Sequence, residues 1–334
     1  MTYVSVLSKM TDTEVPMIDA DTPSFMGLPV ARTKADLAGA DIAIIGVPYD
    51  TPPSAGRDPN SWAGFRTAPR VIRINSMRYA GYLPEFDLDV LEHLRVVDYG
   101  DAEIVADVKQ STDNVIRKVE EAIEAGARPI TLGGFSPCAS YAVAGGIANR
   151  TDGKVGTISL DAHGDCVDRS LGKDGSREPN GSTWEARMWD HFANIDPTKH
   201  CEIGMRGPRN RREMVEKYRN VGARLFTSAE VHRRGIEAIT SEALDGTFAG
   251  ASRTWFHFDM DVLDIGAVPE WGDEPLGLSA RECIHVVHEA GKRGLSGLSF
   301  VFVAPQPGTS AIVIYACVYY MAGLVLGGFA GKKA

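Results

Sequence analysis

The sequence is short of cysteine, short of positive charge and, near its end, without charge of either sign. Its 334 residues include five cysteines, Cys138, Cys166, Cys201, Cys283 and Cys317. That odd number, with no paired spacing, excludes a disulfide scaffold. Lysine and arginine number 35 against 44 aspartates and glutamates, for a net charge of -9. Such a surface repels phosphate and excludes a nucleic-acid binder that works through overall basicity. The N-terminus, MTYVSVLSKMTDTEVPMIDADTPSF, has no basic patch followed by an apolar core and does not read as a secretory signal. With no export signal and no paired cysteines, the expected compartment is the cytoplasm. Apolar residues at 44% and charged residues at 24% are ordinary for a soluble globular chain and exclude disorder.

The missing charge at the end is the unusual feature. No charged side chain occurs from Gly294 to Gly331, and Ala311 to Ala330 is almost entirely apolar. A run of this length can cross a bilayer. It can equally be the buried last helix of a fold, or a subunit contact. Tyr315, Tyr319 and Tyr320 are unusual at a lipid-facing centre and natural at a protein interface. The expectation is therefore a buried closing helix and no membrane contact, although Gly323, Gly327 and Gly328 weaken its second half.

What is present is an alternation of short apolar runs and helical patterns. Strands are expected at Asp41–Val47, Leu94–Val97, Pro129–Leu132, Lys154–Leu160, Cys201–Met205, Ala223–Phe226, Thr254–Phe258 and Leu298–Val303. Helices are expected at Ser111–Ala125, Ala139–Ala148, Arg211–Arg219, Ala229–Ala243 and Ala280–Arg293. Strands that alternate with helices imply a mainly parallel sheet covered on both faces. The fold class is α/β, with three α/β/α layers. No composition break marks a linker, so one domain is expected over residues 36–331, after an N-terminal arm over 1–35. Ligands in such sheets sit at the carboxyl ends of the strands.

Two clusters stand at expected strand ends. The first is Leu160-Asp161-Ala162-His163-Gly164-Asp165, and the second is His257-Phe258-Asp259-Met260-Asp261-Val262-Leu263-Asp264. Strand side chains alternate, so Asp161 and His163 can share a face, as can Asp259 and Asp261. Carboxylates that converge with an imidazole repel one another unless a cation is present, and this donor set suits a divalent transition metal. A lone D-x-H is usually a solvated turn; two such clusters, each after a strand, favour a metal site.

These clusters resemble the ureohydrolases, the family of arginase, agmatinase and related amidinohydrolases. Supporting segments are Gly46-Val47-Pro48-Tyr49-Asp50, Arg66–Arg73, Val97–Asp101 and Ile203–Gly207. The resemblance covers most of the chain and implies an arginase-like fold assembled as trimers or hexamers. It implies that Asp161 and Asp259 bridge two metal ions. His163 and Asp261 complete one metal, Asp165 serves the other, and Asp264 gives outer support. The ions expected are nickel or manganese, with one ion or none held by this chain.

Three departures accompany the resemblance. Where the family carries Gly-Gly-Asp-His-Ser, this chain has Gly133-Gly134-Phe135-Ser136-Pro137, and Ser136 replaces the histidine ligand. Where the family has a proton-shuttling histidine, Asn180 stands. Where the family has Glu-Val-x-Pro, this chain has Phe302-Val303-Ala304-Pro305, and Phe302 replaces the acid that holds a guanidinium. His257 is a candidate rescue ligand for the vacated position; the alternative places it one pleat deeper in the sheet. Cys138 is expected to be a buried structural thiol. His285 and His288, spaced i, i+3, are expected on a partly exposed helix face. Arg206–Arg212, with four arginines, is expected to be a subunit contact or solvated turn.

Loss of a ligand, a shuttle and an anchor together, at Ser136, Asn180 and Phe302, leaves no residue to name as catalytic. The expected role is that of a non-catalytic subunit in a hetero-oligomer with an intact catalytic paralogue. The resemblance gives that complex hydrolysis of a guanidine or a biguanide such as metformin, to a guanylurea and an amine. An active amidinohydrolase with an altered site, and a scaffold or binding protein, remain the alternatives. The segment Trp271–Ser279 is where specificity is expected, without a readable code.

Overall fold

Strand β1, Ile42–Gly46, is buried along its whole length, as a strand covered on both faces must be. Ile42 and Ile44 join one apolar cluster, while Ala43 and Ile45 join another on the opposite face. The same division runs through the whole sheet. The computed structural model describes residues 15–50, 64–167, 178–268 and 274–333.

Seven further strands complete the sheet: β2 Val96–Asp101, β3 Arg128–Leu132, β4 Val155–Leu160, β5 Ile195–Met205, β6 Arg224–Thr227, β7 Arg253–Asp259 and β8 Gly297–Val301. Their order is β2-β1-β3-β8-β7-β4-β5-β6. Every pairing is parallel. A two-residue antiparallel ladder joins Tyr82–Leu83 to Leu88–Asp89. The three-layer α/β/α architecture is thus the one the sequence implies.

Among the described residues, the α-helices longer than one turn are α1 Ala68–Ser76, α2 Val108–Glu124, α3 Tyr141–Asn149, α4 Trp184–His191, α5 Arg212–Val221, α6 Ser228–Arg234, α7 Ile236–Phe248, α8 Ala280–Lys292 and α9 Pro307–Leu326. Residues of α2, α3 and α4 pack on one face of the sheet. Those of α1, α7, α8 and α9 pack on the other. The helix expected over Ala229–Ala243 is two helices, because Gly235 takes a positive φ between them. Helix α4 was not anticipated.

The charge-free run forms β8 and α9. Helix α9 is long and apolar enough to cross a membrane by length and composition, and it is mostly buried within the protein. Gly323 lies inside this helix. A Cβ there would fall 2.3 Å from the carbonyl oxygen of His288 in α8. The glycine expected to weaken the helix instead allows the two backbones to touch. Tyr320 anchors the same contact by donating its hydroxyl to the carbonyl of Leu295 at 2.6 Å.

On the other flank, the buried guanidinium of Arg73 in α1 grips Asp98 in β2. Nε donates to Oδ2 at 2.8 Å and Nη2 to Oδ1 at 2.9 Å. Nη1 also reaches Asp101 at 2.5 Å. Asp98 in turn accepts from the Phe25 N–H at 2.8 Å, and Val30 bridges to Asp98 along the strand edge. The described part of the expected N-terminal arm is therefore fastened to the sheet; residues 1–14 lie outside the described residues.

Candidate metal centre

Four adjacent strands, β3, β8, β7 and β4, end at one place. Register sets the alignment: Leu160 of β4 pairs with Phe258 of β7, and Val301 of β8 pairs with Asp259. Asp161, Asp259 and Phe302 therefore emerge side by side at the carboxyl edge, where such sheets bind ligands.

The carboxylates first hold their own loops. Asp161 Oδ1 accepts from the His163 N–H at 2.7 Å, and Asp259 Oδ1 from the Asp261 N–H at 2.9 Å. Asp261 Oδ1 accepts from the Ala162 N–H at 3.1 Å and so ties the two loops together. Asp161, His163 and Asp261 each bring a ligand-type atom within 4.8 Å of the others. His163 Nδ1 lies 2.9 Å from Asp261 Oδ2 and 3.8 Å from Asp161 Oδ1.

The electrostatics are those of crowded buried acids. Burial, then the charges of Asp261 and Asp259, push the Asp161 carboxyl well above the usual range. Burial and Asp261 do the same to Asp259. Burial also opposes ionisation of Asp261, but the His163 imidazole outweighs it and draws that carboxyl down. Burial disfavours the charged imidazole of His163, and Asp261 overcomes this and raises it. One imidazole among buried carboxylates is a donor set that fits a divalent cation. Asp161, His163 and Asp261 would hold it, with Asp259 buried beside them. The unpartnered, buried Nε2 of His163 is left facing Glu274 Oε1 at 3.7 Å.

Other expected site residues are placed differently. Asp165 Oδ2 accepts the indole N–H of Trp184 at 2.9 Å. Among the described residues it does not join the converging group. His257 sits back in β7, its Nδ1 3.2 Å from Ser159 Oγ and its ring 4.4 Å from that of Trp184. Burial pushes its imidazole down to about 3, and it joins neither converging group. Asp264 faces its own loop, accepting from the Gly266 and Gly277 N–H groups at 3.0 Å each. Asn180 Oδ1 accepts from the Ser182 N–H at 2.9 Å.

The half of the centre fed by β3 and β8 is aromatic. Phe135 stacks on Phe65 with ring centroids 5.4 Å apart. Phe302 lies 4.9 Å from Phe65 and 5.6 Å from Phe135. Ser136 Oγ is hydrogen-bonded to Ser140 Oγ at 2.6 Å. Gly134 permits the crowding: it has a positive φ, and a Cβ there would fall 2.0 Å from the Val47 carbonyl oxygen. Phe302 itself takes a positive φ of 59°, and its N–H donates to the Gly134 carbonyl at 3.0 Å.

Sequence reasoning missed several supports. Arg206 was grouped with a solvated or intersubunit basic run. Its guanidinium instead donates to the carbonyls of Asp261, Val262, Leu263, Glu274 and Pro275, which fixes the loop that presents Asp261. Asn210 holds the opposite loop, accepting from the Gly164 N–H at 3.0 Å and donating to the Ala162 carbonyl at 2.9 Å. An arginine directly after an apolar strand was the available signal for the first; nothing in the pattern marked the second. Cys138 is buried, as expected. His288 is buried and stacks on Phe86 at 4.9 Å. The first part of the expected specificity segment, 271–273, lies outside the described residues.

Comparison with known proteins gives one consistent answer. The sequence profile of the arginase family matches residues 40–324. The chain is 28% identical over 301 residues to a guanidinopropionase of Pseudomonas aeruginosa, covering 86% of this chain and 85% of that one. It is 26% identical over 284 residues to a mitochondrial guanidino acid hydrolase of Homo sapiens, covering 84% and 76%. Among solved structures, formimidoylglutamase of Bacillus subtilis superposes with a TM-score of 0.78 at 23% identity, covering 95% of each chain. A formiminoglutamase of Trypanosoma cruzi solved with Mn2+ gives 0.76 at 24% identity, covering 91% of this chain and 99% of that one. The fold is therefore arginase-like.

Proposed function

The chain belongs to the arginase family, and on that premise we propose that it is the non-catalytic subunit of a heteromeric amidinohydrolase. Its partner is a paralogue that carries a complete two-metal site. The observation that carries the reading is the Phe65–Phe135–Phe302 cluster, packed where β3 and β8 end, with Ser136 in place of the family histidine. Aromatic rings there offer no lone pair to a second cation and no carboxylate to a guanidinium. Asn180 has no proton to exchange near neutrality. The reaction assigned to the whole complex is hydrolysis of a substituted guanidine or a biguanide such as metformin, giving a guanylurea or urea and an amine. The complex is assigned to the cytoplasm, as a trimer or hexamer, with nickel or manganese as the ion.

A second reading has an observation of its own. Asp161, His163 and Asp261 still converge, and the names of the relatives are those of working hydrolases. On that reading the chain is an active amidinohydrolase with one altered metal site. A divalent ion held by those residues supplies, when bound, a polarised water for attack on the amidine carbon. The converging residues and the relatives' names favour this second reading; the aromatic half of the centre favours the first.

One experiment separates them. The chain is expressed alone, with an intact paralogue encoded in the same genome, and with that paralogue stripped of its metal ligands. Turnover of guanidine, agmatine, guanidinobutyrate and metformin is then measured. The proposal expects activity only with the intact paralogue, and co-purification of the two chains. Activity of the chain alone establishes the second reading. Failure to associate with any paralogue overturns the first.

A further inference from the structure

Beneath α4, on the sheet face behind Asp165, lies a second group of ligating side chains that the proposed function does not use. Sheet register builds it. Thr157 of β4 pairs with His200 of β5, and Ser159 pairs with Glu202. The side chains of His200 and Glu202 therefore rise from the same face of β5, two residues apart. Glu185, in the first turn of α4, comes down onto them. Its N–H donates to the Asp165 carbonyl at 3.1 Å, which ties α4 to the loop that follows β4. Glu185 is 1% exposed, and His200 and Glu202 are 0% exposed.

Three atoms in this group are buried without a hydrogen-bond partner: Glu185 Oε1, His200 Nε2 and Glu202 Oε1. Their geometry is not that of a hydrogen-bonded histidine between two acids. His200 Nε2 is 3.5 Å from Glu185 Oε1 and 3.6 Å from Glu202 Oε2, beyond the about 2.9 Å of such bonds. Ligands bound at about 2.1 Å around a tetrahedral ion stand roughly 3.4 Å from one another. The two observed separations match that edge, the second of them made by Glu202 Oε2, to which the Tyr218 hydroxyl also donates at 3.4 Å. The surrounding contacts also hold the ligands in place. Thr157 Oγ1 lies 2.7 Å from His200 Nδ1, which leaves Nε2 turned inward. The Tyr218 hydroxyl donates to Glu185 Oε2, which leaves Oε1 turned inward. Outer partners of this kind orient metal-bound histidines and carboxylates. Among the described residues, no lysine or arginine ion-pairs with either glutamate, and burial pushes both carboxyls up, as expected of acids packed together with no positive charge beside them.

We propose that Glu185, His200 and Glu202 hold a buried divalent transition-metal ion, with zinc the reference ion, separate from the Asp161–His163–Asp261 centre. The ion joins α4 to β5 and stiffens the layer under Trp184, the residue that engages Asp165. Its role is structural, and it does not depend on whether the chain is catalytic.

The test locates the ion directly. The full chain is purified in whatever assembly it forms, incubated with zinc chloride, dialysed and crystallised, and anomalous difference maps are collected across the zinc edge. The proposal expects a peak bounded by Glu185, His200 and Glu202. A map with no peak there, whether or not one appears at Asp161–His163–Asp261, overturns it. A solution measurement gives an independent check. In a D161N/D261N background the chain should retain about one zinc per chain by mass spectrometry, and chelator should lower its Tm. Adding E202Q, which keeps the shape of the side chain, should remove both effects. Unchanged zinc content in a folded E202Q protein overturns the proposal; if E202Q does not fold, the anomalous map decides.

Discussion

His163 Nδ1 stands 2.9 Å from Oδ2 of Asp261. This contact joins the loop after β4 to the turn after β7, with Asp261 buried and His163 partly exposed. Without a cation, the imidazole takes the part of the positive charge among the acids. A divalent cation there would be held by these two side chains together with Asp161. Replacing Asp261 by Asn should therefore lower the metal content of the chain by about one equivalent, leaving an ion at Glu185, His200 and Glu202 in place. Elemental analysis of dialysed protein checks this, and unchanged circular dichroism shows that the fold is intact.

Arg73 and Asp98 form a buried bidentate pair. Removing one partner leaves the other charge unpaired and cut off from water. The Arg73→Met variant should lose about 3 to 5 kcal/mol of stability, as is typical of a broken buried pair. Urea unfolding measures the loss. D98N/R73M, which removes both charges, should recover part of it.

Gly323 touches the α8 backbone. Its Cβ would meet the His288 carbonyl and the Gly291 Cα, neither of which can rotate away. Gly323→Val should cost about 1 to 3 kcal/mol through overpacking. Gly308, with nothing near its Cβ position, is the control: Gly308→Ala should leave the unfolding midpoint almost unchanged.

His288 is stacked on Phe86 and its imidazole is pushed below its ordinary value, chiefly by burial. The nearby Glu289 carboxylate works the other way. A histidine with a depressed folded pKa binds its proton more tightly when unfolded. Its contribution to stability is therefore present above about pH 6.5 and is lost as pH falls through the folded value. His288→Gln should flatten the decline in stability between neutral pH and pH 5. Urea midpoints across that range check it, and an unchanged slope contradicts it.

Most of the sheet was legible because its strands are continuous apolar runs bounded by glycine or aspartate. All eight were expected, with ends shifted by a few residues except in β5, where Ile195–His200 interleaves polar residues and hid the first half. Helix α4 was missed because its buried face includes Glu185 and Arg187, which break the apolar period. At the site, Asp161, His163 and Asp261 were found because they cluster in sequence. Arg206 and Glu274 were not, because they act across loops, and no spacing in the sequence shows which carbonyls an arginine will reach. His200 and Glu202 were invisible for a related reason: a histidine and a glutamate two apart mean little until register sets them against Glu185.

The sheet order has a historical consequence. The aromatic half of the centre comes from β3 and β8, and the acidic half from β7 and β4. The boundary between them is a single ladder of backbone bonds between β8 and β7, which no side-chain replacement disturbs. Replacements at the ends of β3 and β8 therefore need not move the residues at the ends of β7 and β4. If the chain is the non-catalytic subunit proposed above, its site could have been lost at the ends of β3 and β8 while the ends of β7 and β4 kept their acids.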